Sequence, residues 1–168
     1  MSDQISIPAV YMRGGTSKGL LFNYDDLPKD KFKLDKYLLA AMGSPDLRQI
    51  NGIGGATSVT SKVCIISKSK QKHVDIDYLF AQVIVDKAKV DYGPTCGNML
   101  SAVGPFSIEK GFIDAEENET KINIRSVNTG SIIEAVVPTP NKKLKYMVND
   151  KTIYLLRKSG GNGNHSRI

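Results

Sequence analysis

Two cysteines, two histidines and no tryptophan occur in the 168 residues, and this scarcity narrows the chemistry. Cys64 and Cys96 are too few for a disulfide framework and lack the paired spacing that holds zinc, so both read as free thiols. His73 and His165 have no partners at triad or ligand spacing, which leaves a histidine triad and a metal site unsupported. No apolar run approaches the roughly 18 residues of a membrane span. The start, Met1 to Tyr11, carries Asp3 and no basic residue, unlike a secretory leader. The expectation is a cytoplasmic protein with no membrane contact.

A net charge of +6 invites a nucleic-acid reading, but its location argues against one. From Asn141 to Ile168 there are seven basic residues against Asp150 alone, which accounts for the whole excess and leaves residues 1–140 neutral. A short basic end is solvated by default and binds polyanions nonspecifically. With no reader motif present, no nucleic-acid partner is expected. Length and a 40% hydrophobic content suit one cored domain.

The pattern predicts more strands than helices. Ile5 to Met12 is a β-branched and aromatic run that stops at a polar glycine loop, 13–19, before Leu20-Leu21-Phe22 resumes it. Asp30 to Met42 repeats apolar residues at helical intervals and ends at Gly43-Ser44-Pro45. A second loop of small residues runs into a buried strand, Val59 to Ser67; His73 to Asp86 alternates as a long strand, and Lys89 to Tyr92 reads as another. Asn98 to Lys110 is apolar on nearly all sides, so it belongs inside the fold, with a kink or break expected at Gly104-Pro105 and Gly111 as its C-cap. Thr120–Val127 and Ser131–Val137 form a hairpin. Beyond Pro140 the pattern is lost, so the domain is expected to span 1–140 and the basic, Gly/Asn-rich tail 141–168 to be irregular.

Three polar loops carry the chemical interest: 13–19, 51–58 and 93–98. None has the glycine spacing of a dinucleotide or phosphate loop, which argues against a nucleotide. They do offer many backbone N–H groups and hydroxyls, and the last opens onto the apolar helix, whose N-terminus attracts anions. A small carboxylic acid fits such donors. Cys96 lies beside that N-terminus, where a thiolate is favoured as base or nucleophile, although a free cysteine is more often buried filler. Lys62, between a Ser/Thr loop and a buried strand, could serve as a base if desolvated, against the usual fate of a solvated lysine. Arg13 and Lys18 could neutralise substrate charge or simply lie on the surface. Cys64, inside an apolar strand, reads as core.

The segments Met12-Arg13-Gly14-Gly15-Thr16-Ser17-Lys18-Gly19, Asn51 to Val63, Asp91 to Met99 and Val127-Asn128-Thr129-Gly130 closely resemble the PrpF family of aconitate isomerases, in order and in spacing over about residues 5–140. The resemblance implies an α+β fold like one half of diaminopimelate epimerase: a strongly curved, mostly antiparallel sheet wrapped around a central apolar helix, here 98–110. It implies an isomerase that shifts a proton and a double bond, or changes cis/trans geometry, in a methylaconitate-like unsaturated di- or tricarboxylic acid, as in propionate breakdown, without metal, pyridoxal phosphate or nicotinamide. It implies Lys62 and Cys96 as the acid/base pair, and Gly15, Thr16, Ser17, Ser58, Gly97 and Asn98 as substrate-binding positions.

The family's second half, which closes the cleft, has no counterpart in 141–168, so a truncated or frame-shifted product with little activity as a monomer is expected. A homodimer could rebuild the cleft, since the face that meets the second half should be apolar. Two other readings remain at this point: an inactive carboxylate-binding or interaction module, and epimerase chemistry on an amino acid.

Overall fold

The computed structural model describes residues 4–146 and the backbone of 155–158 and 166–167. In chain order the elements are β1 (Val10–Gly14), β2 (Ser17–Asn23), α1 (Lys31–Met42), β3 (Lys62–Lys68), β4 (Ile76–Val83), β5 (Val90–Asp91), α2 (Gly97–Glu109), β6 (Asn118–Ser126), β7 (Ile132–Thr139), β8 (Leu155–Lys158) and β9 (Ser166–Arg167). The strands form one sheet in the order β1-β2-β3-β4-β6-β7-β8-β9, with β5 also on β4. The pairs β2–β3 and β4–β6 are parallel and the others antiparallel.

One helix forces the sheet to curl. In a flat sheet β1 and β7 would stand about 24 Å apart, five strand spacings of roughly 4.8 Å. A helix about 10 Å across could not touch both. Yet α2 packs against β1, β2, β3, β4 and β7. The sheet therefore wraps it, and the expected α+β architecture of a curved sheet around an apolar helix is what the chain forms.

The alternation of side chains along each strand builds two cores. Leu21, Cys64, Ile66, Ile76, Tyr78, Phe80, Ile122 and Ile124 point inward and surround Met99, Leu100, Ala102, Val103 and Phe106 of α2. The intervening residues Leu20, Phe22, Val63, Ile65, Ala81 and Val83 face outward against α1, which buries Leu34, Leu38 and Met42 at four-residue spacing. Asp30 caps the start of α1 by accepting the Lys33 N–H at 2.9 Å, and Gly43 ends it in the left-handed region at φ 78°.

Where the structure departs from the pattern, local chemistry explains it. Pairing of β1 starts at Val10 rather than Ile5, beyond Pro8, which has no N–H to donate. The 13–19 loop contracts to a hairpin: Arg13 pairs with Lys18 and Gly14 with Ser17, leaving Gly15 (φ 50°) and Thr16 as the turn. Of the kink or break expected at Gly104-Pro105, a break is absent: the helix runs on from Gly97 to Glu109. Its residues Met99 to Ser107 are all buried, so packing outweighs the one backbone bond that Pro105 cannot donate. Hydroxyls add bonds to the helix carbonyls, Ser101 to Asn98 O at 2.7 Å and Ser107 to Val103 O at 2.8 Å.

The expectation of an irregular tail at 141–168 falls largely outside the described residues; within that stretch β8 pairs with β7 and β9 with β8. Among the described residues no helix is long and apolar enough to cross a membrane.

Two predictions follow from this packing. A Cβ on Gly104 would lie 2.6 Å from Cγ2 of the fully buried Val137. Gly104→Ala should lower the unfolding free energy by about 1–2 kcal/mol in urea titrations, overriding the helix preference for alanine, and Val137→Ala in the same chain should recover part of the loss. A stabilised Gly104→Ala protein would contradict this contact. The second concerns pH. Burial pushes the Cys64 thiol far above its ordinary 9.0 and the Tyr78 phenol well above 10.0. Both groups stay protonated in the folded chain and lose protons on unfolding at high pH, so their contribution is intact below about pH 9 and is lost as pH rises. The urea midpoint should fall above pH 9, less steeply in Cys64→Ala.

Candidate active site at the N-terminal end of the central helix

On the inner face each strand continues its apolar row into glycine or polar residues at one end. The row Ile66, Cys64 of β3 reaches Lys62; the row Ile76, Tyr78, Phe80 of β4 reaches Gln82; Leu21 of β2 is followed by Gly19 and Ser17. Lys62 is directly opposite Gln82 on one side and Gly19 on the other. A side chain at Gly19 would run into the Lys62 carbonyl, and one at Gly14 into the Asn98 carbonyl, so these glycines let the β1–β2 hairpin sit against both β3 and the first turn of α2.

Lys62 is only 9% exposed. Its Nζ donates to Gln82 Oε1 at 3.0 Å and lies 5.0 Å from the centre of the Phe80 ring. Cys96 occupies the N-cap of α2, half-buried against the inner core, and makes no side-chain capping bond. The first bond of the helix runs from Leu100 N–H to Cys96 O at 3.0 Å, so the N–H groups of Gly97, Asn98 and Met99 have no carbonyl partner within the helix. The Tyr78 hydroxyl donates to the Cys96 carbonyl at 3.2 Å and so ties the cap to β4. Cys64 lies beneath: burial chiefly raises its thiol, its hydrogen bond with Tyr78 opposes this, and Cys96 and Lys62 are both near enough to act on it electrostatically. Lys62, Cys64, Tyr78 and Cys96 thus form one neighbourhood.

The other residues singled out by sequence fall into two groups. Asn98 Nδ2 donates to Thr16 Oγ1 at 2.9 Å, which joins the hairpin turn to the helix start. Ser17 is buried, and Gly15, Ser58 and Gly97 line partly or fully exposed backbone around the same end. Arg13 and Lys18, by contrast, are exposed and belong to the alternation of Leu20 and Phe22, on the outer face. Arg13 Nε donates to Gly15 O at 2.8 Å, and the Lys18 backbone N–H to Val59 O at 2.9 Å, so their recorded bonds hold loops.

Three residues that hold this end together escaped sequence reasoning. Gln82 Nε2 donates to Ser58 O at 3.1 Å and Ser61 O at 2.8 Å while its oxygen takes Lys62. The fully buried Gln49 donates to Ser44 Oγ at 3.0 Å and Ser61 Oγ at 2.8 Å, and accepts the Ala56 N–H at 2.9 Å, fixing the 51–58 loop. Asn128 bonds Phe80 N–H at 2.8 Å and the carbonyls of Phe80 and Tyr92 at 2.9 and 2.7 Å, clamping the loop before Cys96 to β4. For Gln82 a signal existed: it extends the parity Ile76, Tyr78, Phe80 by one step. Gln49 carries no such periodicity, and Asn128 stands in the Val127-Asn128-Thr129-Gly130 segment, where it reads only as part of a hairpin turn.

Two further hollows lie away from this end. An apolar one of about 440 Å³ sits between α1 and residues Ile5, Ile7 and Leu20, and a polar one of about 670 Å³ lies at the far end of β3, beside Lys68, Lys70 and Arg125. Among the described residues no group of three or more His, Cys, Asp or Glu is placed to hold a metal ion.

Comparison with known proteins gives the chain its relatives. The chain is 54% identical over 143 residues to the 4-oxalomesaconate tautomerase of Pseudomonas putida, covering 85% of this chain and 40% of that protein. It is 47% identical over 145 residues to the 3-methylitaconate isomerase of Eubacterium barkeri, covering 86% and 38%, and 43% identical over 152 residues to the 2-methyl-aconitate isomerase of Cupriavidus necator, covering 84% and 38%. The chain thus spans about 40% of the length of these relatives. The crystal structure of a methylitaconate-delta-isomerase superposes with a TM-score of 0.86 at 42% identity, covering 92% of this chain and 42% of the other. The family model described as PrpF protein matches residues 4–153, and with a wrapped helix, a curved sheet and these relatives in agreement, the chain belongs to the PrpF family.

Proposed function

We propose that this chain supplies the acid/base half of a cofactor-independent isomerase acting on a small unsaturated di- or tricarboxylic acid of the methylaconitate, methylitaconate or oxalomesaconate kind. The observations that carry the reading are the little-exposed Lys62 amine, held at 3.0 Å by Gln82 on the inner face of β3, and Cys96 at the N-cap of α2, each close enough to Cys64 to act on its thiol. The activities for which three relatives at 43–54% identity are named support the same substrate class.

The chemistry needs little more than this. One of the pair Lys62 and Cys96 takes an allylic proton, and the C–H electron pair delocalises through the double bond into the conjugated carboxylate as a dienolate. A proton returned at the far carbon by the same group or its partner leaves the double bond moved, or free to adopt the other geometry, with no change in oxidation state. A carbon acid is weak, so the charge that builds on the carboxylate must meet donors already in place. The N–H groups of Gly97 and Asn98, the Thr16 and Ser17 hydroxyls, and the turn backbone at Gly15 and Ser58 are the proposed donors. Arg13 and Lys18 add positive charge from the outer side of the hairpin.

The test is proton NMR in deuterated buffer with 2-methylaconitate, 3-methylitaconate and 4-oxalomesaconate. Deuterium should enter the allylic position as the isomer forms, and Lys62→Ala and Cys96→Ala should each slow it on the order of 10²- to 10⁴-fold. Normal turnover in both variants would refute the pair; saturable binding by the folded chain with no exchange would make it a carboxylate-binding module instead.

A further inference from the structure

We infer that Gln82 is a positioning residue for the Lys62 amine, and that one side-chain amide sets both the direction of the amine and the height of the 58–61 loop. This inference rests on the reading of Lys62 as an acid/base group. The two side chains are opposite each other in the antiparallel β3–β4 pair and point to the same, inner face. Gln82 Oε1 accepts from Lys62 Nζ at 3.0 Å, and both hydrogens of its Nε2 are taken, by Ser58 O at 3.1 Å and Ser61 O at 2.8 Å.

The orientation of this amide is fixed by chemistry. Turned over, it would set its NH₂ group against the lysine amine and its oxygen against two carbonyl oxygens, exchanging three hydrogen bonds for three repulsions. The oxygen therefore stays toward Lys62. A lysine carries four rotatable bonds and is otherwise free to sweep a wide arc. The bond to Gln82 and the Phe80 ring 5.0 Å away, both on β4, hold the amine toward that strand and leave the remaining Nζ positions for a substrate proton. The same amide holds Ser58, one of the proposed substrate positions, so misplacement of the loop and of the amine are coupled through a single residue. A misplacement of about 1 Å can cost on the order of 10²-fold in rate.

Two variants separate the roles. Gln82→Glu keeps an oxygen for Lys62 but presents another to the Ser58 and Ser61 carbonyls, so it loosens the loop; Gln82→Leu removes both functions. In the isomerisation assay with 3-methylitaconate, Gln82→Leu should lower kcat by about 10- to 100-fold, whereas Gln82→Glu, whose carboxylate favours the Lys62 ammonium, should shift the pH profile of kcat upward and raise KM several-fold. A readout independent of turnover is the NMR signal of the Lys62 ε-methylene, assigned by its loss in Lys62→Ala: two resolved proton shifts in the parent chain and in Gln82→Glu, collapsing toward one in Gln82→Leu. Unchanged ε-methylene shifts in Gln82→Leu would overturn the inference, whether or not the chain turns over. If Lys62→Ala itself keeps full activity while the shifts still collapse, the acid/base reading fails and the positioning contact stands.

Discussion

The burial of α2 is the constraint on which the other features depend. Nine consecutive residues, Met99 to Ser107, are shut away from water, and a helix with no exposed stripe must be covered on all sides. Most of the cover comes from the sheet, which bends until β1 and β7 both reach the helix, and Phe112, Ile113 and Leu144 add to it from outside the strands. Each fully buried Leu, Val, Met or Phe on that helix contributes roughly 1.5–3 kcal/mol relative to exposure. No comparable gain opposes the bending. Gly104 marks a close approach, where the Val137 side chain of β7 comes up against the helix backbone.

A helix held this way has a fixed end, and that end organises the chemistry. Its N-terminal N–H groups point out of the wrapped sheet where the apolar rows give way to Lys62, Gln82, Gly19 and Ser17. The loops that meet there are not loosely draped. Gln49 secures 51–58 from beneath, Asn128 secures the approach to Cys96, Tyr78 holds the cap carbonyl, and the Tyr92 hydroxyl donates to Asp35 of α1 at 2.6 Å. Polar groups that are buried and fully bonded rigidify a site, because any displacement strands a donor or acceptor away from water.

Much of this was legible in the sequence, and the rest was not for identifiable reasons. The all-round apolar character of Met99 to Phe106 announced an interior helix, and the spacing of the glycine loops pointed to the family. The unbroken course through Pro105 was hidden because the benefit of packing is a tertiary quantity. Arg13 and Lys18 read from sequence as either charge-neutralising or surface groups, because strand parity is not visible there; once that loop is a two-residue turn, alternation puts both on the outer face. Gln82, Gln49 and Asn128 act through partners 5 to 48 residues away. Such pairings are set by register, which no single sequence prints.

The most direct measurement of the central claim, that a carboxylate binds where the wrapped helix begins, is a titration of the labelled chain with 3-methylitaconate followed by backbone amide shifts. The account predicts that the largest changes fall on Thr16, Ser17, Ser58, Gly97 and Asn98. Changes concentrated instead around Lys68, Lys70 and Arg125, in the polar hollow at the other end of the sheet, would contradict it.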